Sequence, residues 1–195
     1  MENSIQELLK TSKKYKETAA KFLQEKNLIE DLGNFGRVEL GGSYSYDLMM
    51  NGDIDLYVVR NDPFSAEEMA EIFKFFYLKR KFKSYFILGD WYDRRKGNEW
   101  PHGHYIGLKD DISGDKWVVD AWFVSEEEFK AREKKEIVKN VILTEEQKQL
   151  ILLFKKYRNE NKLRVPGQTI YQLVISGECK NLEDFKARLT SSEIK

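Results

Sequence analysis

Two aspartates one residue apart, Asp53 and Asp55, sit inside an apolar run, Asp53-Ile54-Asp55-Leu56-Tyr57-Val58-Val59. In a strand, alternation sends both carboxylates to one face and Ile54 to the other, with the two Cα atoms about 7 Å apart. Two carboxylates on one face repel, and partial burial raises the cost of their charge. A cation between them removes both problems. Oxygen ligands with no His or Cys beside them favour a hard ion, Mg²⁺ or Mn²⁺. The alternative is a pair of edge-strand aspartates facing water or bonding to loop N–H groups.

Just upstream lies Gly41-Gly42-Ser43. Glycines let a backbone approach a ligand closely and present N–H groups, which suits phosphate. Ser43 adds a hydroxyl and a possible helix start, which also favours anions. A third carboxylate, Asp120, stands in the most apolar stretch of the chain, Lys116-Trp-Val-Val-Asp-Ala-Trp-Phe-Val124. Val118, Asp120 and Trp122 share one face of that strand; Val119, Ala121 and Phe123 share the other. An unpaired aspartate there is costly. If this strand neighbours the Asp53 strand, the three carboxylates form one site. The alternative for Asp120 is a buried salt bridge to Arg94 or Lys109.

These residues need a scaffold, and its punctuation is legible. Ser4-x-x-Glu7, Ser65-x-x-Glu68, Ser125-x-x-Glu128 and Thr144-x-x-Gln147 all fit a capping box, each ahead of helical apolar spacing. Further helices are expected from Asn181 and over Gln168 to Ile175, the latter ended by Gly177. Strands are expected in the segments beginning at Arg37, Asp53, Lys83, His104 and Lys116. The turn-rich Asp110–Asp115 joins the last two as an antiparallel hairpin. The order α-β-β-α-β-β-β, then helices alone, predicts an α/β (α+β) fold. A mixed sheet carries helices over residues 1–124, and a helical C-terminal lobe spans 125–195.

Composition narrows the function classes. The longest apolar run is far short of the roughly 20 residues a bilayer span needs, so no membrane partner is expected. One cysteine, Cys179, excludes an internal disulfide framework and a Cys-rich zinc site. The amphipathic N-terminus has no apolar signal core, and a cytoplasmic location is expected. Thirty-three basic residues balance thirty-three acidic ones, whereas a domain gripping a long nucleic acid usually shows a basic excess. A local basic patch at Lys79, Arg80, Lys81 and Lys83 remains compatible with that balance.

The combination Gly42-Ser43, Asp53-Ile-Asp55-Leu and Val119-Asp120-Ala121 resembles the signature of the nucleotidyltransferase superfamily typified by DNA polymerase β, over about Val38 to Phe123. The resemblance implies the nucleotidyltransferase fold and a small stand-alone enzyme. It also implies transfer of an NMP from an NTP, with ATP the default, to an acceptor hydroxyl with release of pyrophosphate. Asp53, Asp55 and Asp120 would bind two Mg²⁺ or Mn²⁺ ions, and Gly42 and Ser43 would hold the triphosphate. Asp120 would also help deprotonate the acceptor, which could be a small molecule, a protein or an RNA end. A non-catalytic module that keeps the fold, or one half of a protein pair, is the alternative.

The chain departs from common members between Ser43 and Asp53, where Asp47 is acidic and no basic residue occurs. Lys155, Lys156 and Arg158 are candidates to assist the triphosphate, against the alternative of a solvated helix face. His102 and His104 would share a strand face if the strand begins that early, and are expected to line the site rather than bind zinc, since no third ligand is evident. Trp91, Tyr92 and Trp100 could stack on a base or acceptor ring, or simply anchor their loop.

Overall fold

The structure, a computed structural model, describes residues 2–89 and 101–189. Helix α1 spans Glu2–Glu25 and α2 Leu28–Gly33; β1 follows at Arg37–Leu40, then α3 at Gly42–Ser45 and β2 at Gly52–Arg60. Helix α4 (Ala66–Lys79) leads to β3 (Ser84–Leu88), β4 (Gly103–Ile112) and β5 (Asp115–Ser125). Helices α5 (Glu126–Lys135), α6 (Glu145–Glu160), α7 (Gly167–Ile175) and α8 (Leu182–Arg188) complete the chain. The expected succession of elements is present, with α2 and α3 added. The fold is mixed α/β, a five-stranded mixed sheet with helices packed around it.

Two capping boxes form in full. Ser65 and Glu68 exchange side-chain and backbone bonds at the start of α4, and Thr144 and Gln147 do so at α6. At α5 half the box forms: Ser125 accepts from the Glu128 N–H, but the Glu128 carboxylate is drawn off to the His102 N–H at 3.0 Å. At the N-terminus the expectation fails. Helix α1 already begins at Glu2, so Ser4 lies within its first turn rather than ahead of it.

By contacts the chain divides into two compact units. The sheet unit comprises residues 17–45 and 51–134; the helical unit comprises 1–16, 46–50 and 135–195. The division expected at 124/125 followed the order of elements. By contacts, α5 goes with the sheet, while part of α1 and the segment Tyr46–Met50 go with the helices.

The sheet order is β1-β2-β5-β4-β3. Strands β2 and β5 run parallel, and every other neighbouring pair is antiparallel. The β4–β5 hairpin closes through Ser113 and Gly114, both with positive φ (53° and 88°), the turn whose twist matches that of the strands. One face of the sheet is the core. Ile54, Leu56, Val58, Ile106, Leu108, Val119, Ala121 and Phe123 are all buried on it, and Leu28, Leu32, Met69, Ile72 and Phe76 from α2 and α4 are buried as well. The other face is half-buried and carries Asp53, Asp55 and Asp120.

The helical unit has its own core, with Phe154 stacked on Phe185 (centroids 4.6 Å apart) among Ile151, Leu152, Ile170 and Val174. Leu48 and Met50 belong to it. Their segment is hung on side chains of α1 and α6. Ser12 Oγ donates to the Asp47 carbonyl at 2.9 Å, Lys155 Nζ to the Leu48 carbonyl at 2.6 Å, and Asn159 Nδ2 to the Met50 carbonyl at 3.0 Å.

Candidate functional site

The site is assembled by register. Asp55 lies directly opposite Asp120 across the parallel β2–β5 pair, and Asp53 lies opposite Val118. Neighbouring strands are about 4.8 Å apart, so the Asp55 and Asp120 backbones are side by side, with Asp53 two residues along. All three acids lie on one face of the sheet, as the alternation of both strands predicts.

The turn before β2 abuts the same point. The Gly41 N–H donates to the Asp55 carbonyl at 2.9 Å, prolonging the β1–β2 ladder. Gly42 has φ +58°, and a Cβ there would lie 2.0 Å from Asp55 Oδ2. Glycine is required twice, by the left-handed backbone and by the carboxylate pressed against it. Ser43 is buried and follows it within α3, which Gly42 opens.

On the other flank, Gly107 of β4 lies opposite Asp120, and Tyr105 lies opposite Trp122. The Tyr105 ring leans over Gly107, where a Cβ would come within 2.5 Å of the hydroxyl. That lean lets the hydroxyl donate to Asp120 Oδ1 at 2.5 Å. Tyr105 was not singled out from the sequence. The available signal was its position in Tyr105-Ile106-Gly107, two residues from a glycine on the same strand face.

Electrostatics mark this face as a sink of negative charge. Burial, and then the Asp120, Asp53 and Asp55 charges, push the Tyr105 hydroxyl far above its ordinary value. Burial also raises the Asp120 carboxyl, against the Tyr105 hydrogen bond and the Lys109 charge, which favour the carboxylate. Asp120 therefore answers to Tyr105 and the field of Lys109, while Arg94 lies outside the described residues.

A hard divalent cation suits this donor set. It consists of half-buried carboxylate oxygens on one face, and burial raises the Asp120 carboxyl. Among the described residues no three His, Cys, Asp or Glu side chains form a closed metal cage. An ion would have to draw the Asp53, Asp55 and Asp120 side chains together.

Several expected participants lie elsewhere. His104 pairs with Phe123 on β5 and so faces the core side of the sheet, away from the acids, with Nε2 2.9 Å from the Phe64 carbonyl. Strand β4 begins only at Gly103, and the His102 N–H is spent on Glu128. The expectation that His104 lines the site is therefore corrected: its pairing with Phe123 sets its face, and one residue of register would reverse it. Lys155 is neither on a solvated face nor extended into solvent. It is buried in the helical unit, donating to the Leu48 carbonyl and to the Tyr171 hydroxyl at 3.2 Å. Arg158 donates to Asn159 Oδ1 and to the Val165 carbonyl. Lys156, on an open helix face, sits 3.8 Å from Glu160. Asp47 is in an ion pair with Lys16. Trp91, Tyr92 and Trp100 lie outside the described residues.

Among the described residues no helix is long and apolar enough to cross a membrane. Compared with known proteins, the chain matches no family model and no curated protein sequence.

Proposed function

We propose that this protein is a metal-dependent nucleotidyltransferase of the cytoplasm, built on the nucleotidyltransferase fold. It moves an NMP from an NTP, ATP by default, to an acceptor hydroxyl. The observation that carries the reading is the register of Asp55 against Asp120 on adjacent parallel strands, with the Gly42 backbone pressed on the Asp55 carboxylate. A structural aspartate pair has no need of that third element, a left-handed glycine turn placed on top of it.

Asp53, Asp55 and Asp120 would hold two Mg²⁺ or Mn²⁺ ions, which when bound neutralise phosphate charge and lower the pKa of a nearby hydroxyl. Gly42 and Ser43 bind the triphosphate through the turn. Asp120, whose carboxyl burial raises, takes the acceptor proton as the acceptor oxygen bonds to the α-phosphorus and the bond to pyrophosphate breaks. Tyr105 fixes Asp120 by holding Oδ1, which leaves Oδ2 for that task.

The deciding experiment incubates the protein with each α-labelled NTP, Mg²⁺ or Mn²⁺, and cell extract. A labelled product that disappears with Asp55→Asn is expected. If no NTP labels any molecule, or Asp55→Asn labels as well as the parent, the alternative of a silent binding module replaces the enzyme.

A further inference from the structure

The row that holds Asp55 and Asp120 does not stop at Gly107. Gly107 pairs onward with Phe86 of β3, so Asp55, Asp120, Gly107 and Phe86 lie abreast on one face. Phe86 is two strands beyond Asp120, about 10 Å away. Its ring is 51% exposed and meets the edge of Tyr105, centroids 6.2 Å apart. One step along, Ser84 pairs with Lys109, and both side chains are exposed on this same face. The Lys109 charge is felt at Asp120. A half-exposed aromatic ring, a hydroxyl and an ammonium therefore form a ledge on the side of Asp120 remote from the Gly42 turn.

We infer that this ledge, Phe86 with Ser84 and Lys109, is the acceptor subsite, and that the acceptor is a nucleoside phosphate. This rests on the nucleotidyltransferase reading, in which the triphosphate occupies the Gly42 side of Asp120 and the acceptor hydroxyl the other. An exposed ring takes a flat heterocycle by stacking. Lys109, with Ser84 beside it, takes the anionic group. A hydroxyl of the same molecule then reaches back toward Asp120. The ledge lies at the last strand in the sheet order, so a free nucleotide and the terminal nucleotide of an RNA present the same chemistry to it. The balanced charge of the chain favours holding one such unit rather than a long strand.

The test is calorimetric titration, with Mg²⁺ present to offset the carboxylates. The titrants are each of the four nucleoside monophosphates and, in a second arm, a four-nucleotide RNA. At least one is expected to bind. Phe86→Leu, which keeps an apolar side chain at an exposed position, should weaken that binding roughly tenfold, the scale of one lost base stack. Lys109→Gln should weaken it and flatten its salt dependence. Tighter binding of the RNA assigns the ledge to a polymer end; equal or tighter binding of a monophosphate assigns it to a small acceptor. The inference is overturned if no titrant binds the parent, or if both variants bind as the parent does. NTP labelling that persists alongside either result sinks the ledge alone. Phe86-dependent binding without NTP labelling sinks the transfer reaction alone.

Discussion

Gly42 and Asp55 are locked together: the glycine occupies φ +58°, and the position of its missing Cβ is 2.0 Å from the aspartate Oδ2. Gly42→Ala must therefore move the carboxylate as well as strain the turn. The left-handed backbone alone costs about 1–2 kcal/mol. The parent should melt higher with Mg²⁺ or Mn²⁺, and higher again with NTP, because a ligand of the folded state stabilises it by mass action. Gly42→Ala should lose most of that gain. In an Asp55→Ala background the same substitution should cost less, since part of the clash is gone. Additive melting shifts in this cycle would dissolve the link between turn and acid.

Tyr105 and Gly107 should behave as one unit. Tyr105→Phe removes the hydroxyl that donates to Asp120, a loss of about 1.5–3 kcal/mol for a bond to a charged group. Gly107→Ala places a Cβ where the Tyr105 hydroxyl now lies, and the ring should swing off Asp120 to admit it. Both variants should slow transfer with NTP affinity little changed, and the double variant should be no slower than the worse single one. A multiplicative loss in the double variant would show that Gly107 acts by another route.

Asp120→Asn should separate stability from chemistry. Burial raises the folded pKa of Asp120 above its ordinary 3.8. The native state therefore holds this proton more tightly than the unfolded chain does. The stability is fully present below the ordinary value and is lost as pH rises through the raised native value. Asn keeps the acceptor for Tyr105 without the charge. In EDTA the variant should match the parent in urea at pH 3 and exceed it at pH 7. Transfer at pH 7 should fall by roughly 10²-fold, the scale of a positioned base. Equal urea midpoints at pH 7 would mean that the charge is well solvated.

Glu68 offers a test of the scaffold in the opposite sense. The Arg60 guanidinium, with the Ser65 N–H, lowers its carboxyl from 4.5 to about 2. Its stabilisation is present above the ordinary value and is lost as pH falls toward the lowered one. The stability gap between parent and Glu68→Gln, read from urea curves, should be full at pH 7 and narrow steadily between pH 4.5 and pH 3. A gap unchanged over that range would leave the Arg60 pairing without energetic effect.

What the sequence reveals divides along the range of the forces involved. The Asp53/Asp55 alternation, the faces of the Asp120 strand and the boxes at Ser65 and Thr144 are local facts of period and capping, and they are legible. The alignment of Asp55 with Asp120 joins residues 65 positions apart and is set by which strands pair and in what register. Spacing along the chain is silent about that. Tyr105 was invisible for the same reason: its meaning comes from Gly107 and Asp120 standing opposite each other. His104 was misplaced because its face is set by its pairing with Phe123, and one residue of register would reverse it. Lys155 sits in a helix whose next residue, Lys156, is open, and composition does not distinguish a buried ammonium satisfied by a carbonyl and a phenol from a solvated one.

The three hooks on Asp47, Leu48 and Met50 all grasp main-chain carbonyls. A carbonyl is present whatever the side chain, so these bonds are blind to residue identity and sensitive to count. Exchanging Leu48 for another apolar residue of similar volume leaves every hook engaged. Adding or deleting one residue between Tyr46 and Met50 puts the carbonyls out of step with Ser12, Lys155 and Asn159. It also changes the length of chain tethering Gly42 to Asp53. The connection is thus a gauge of length, and divergence in it should run to substitutions long before it runs to insertions.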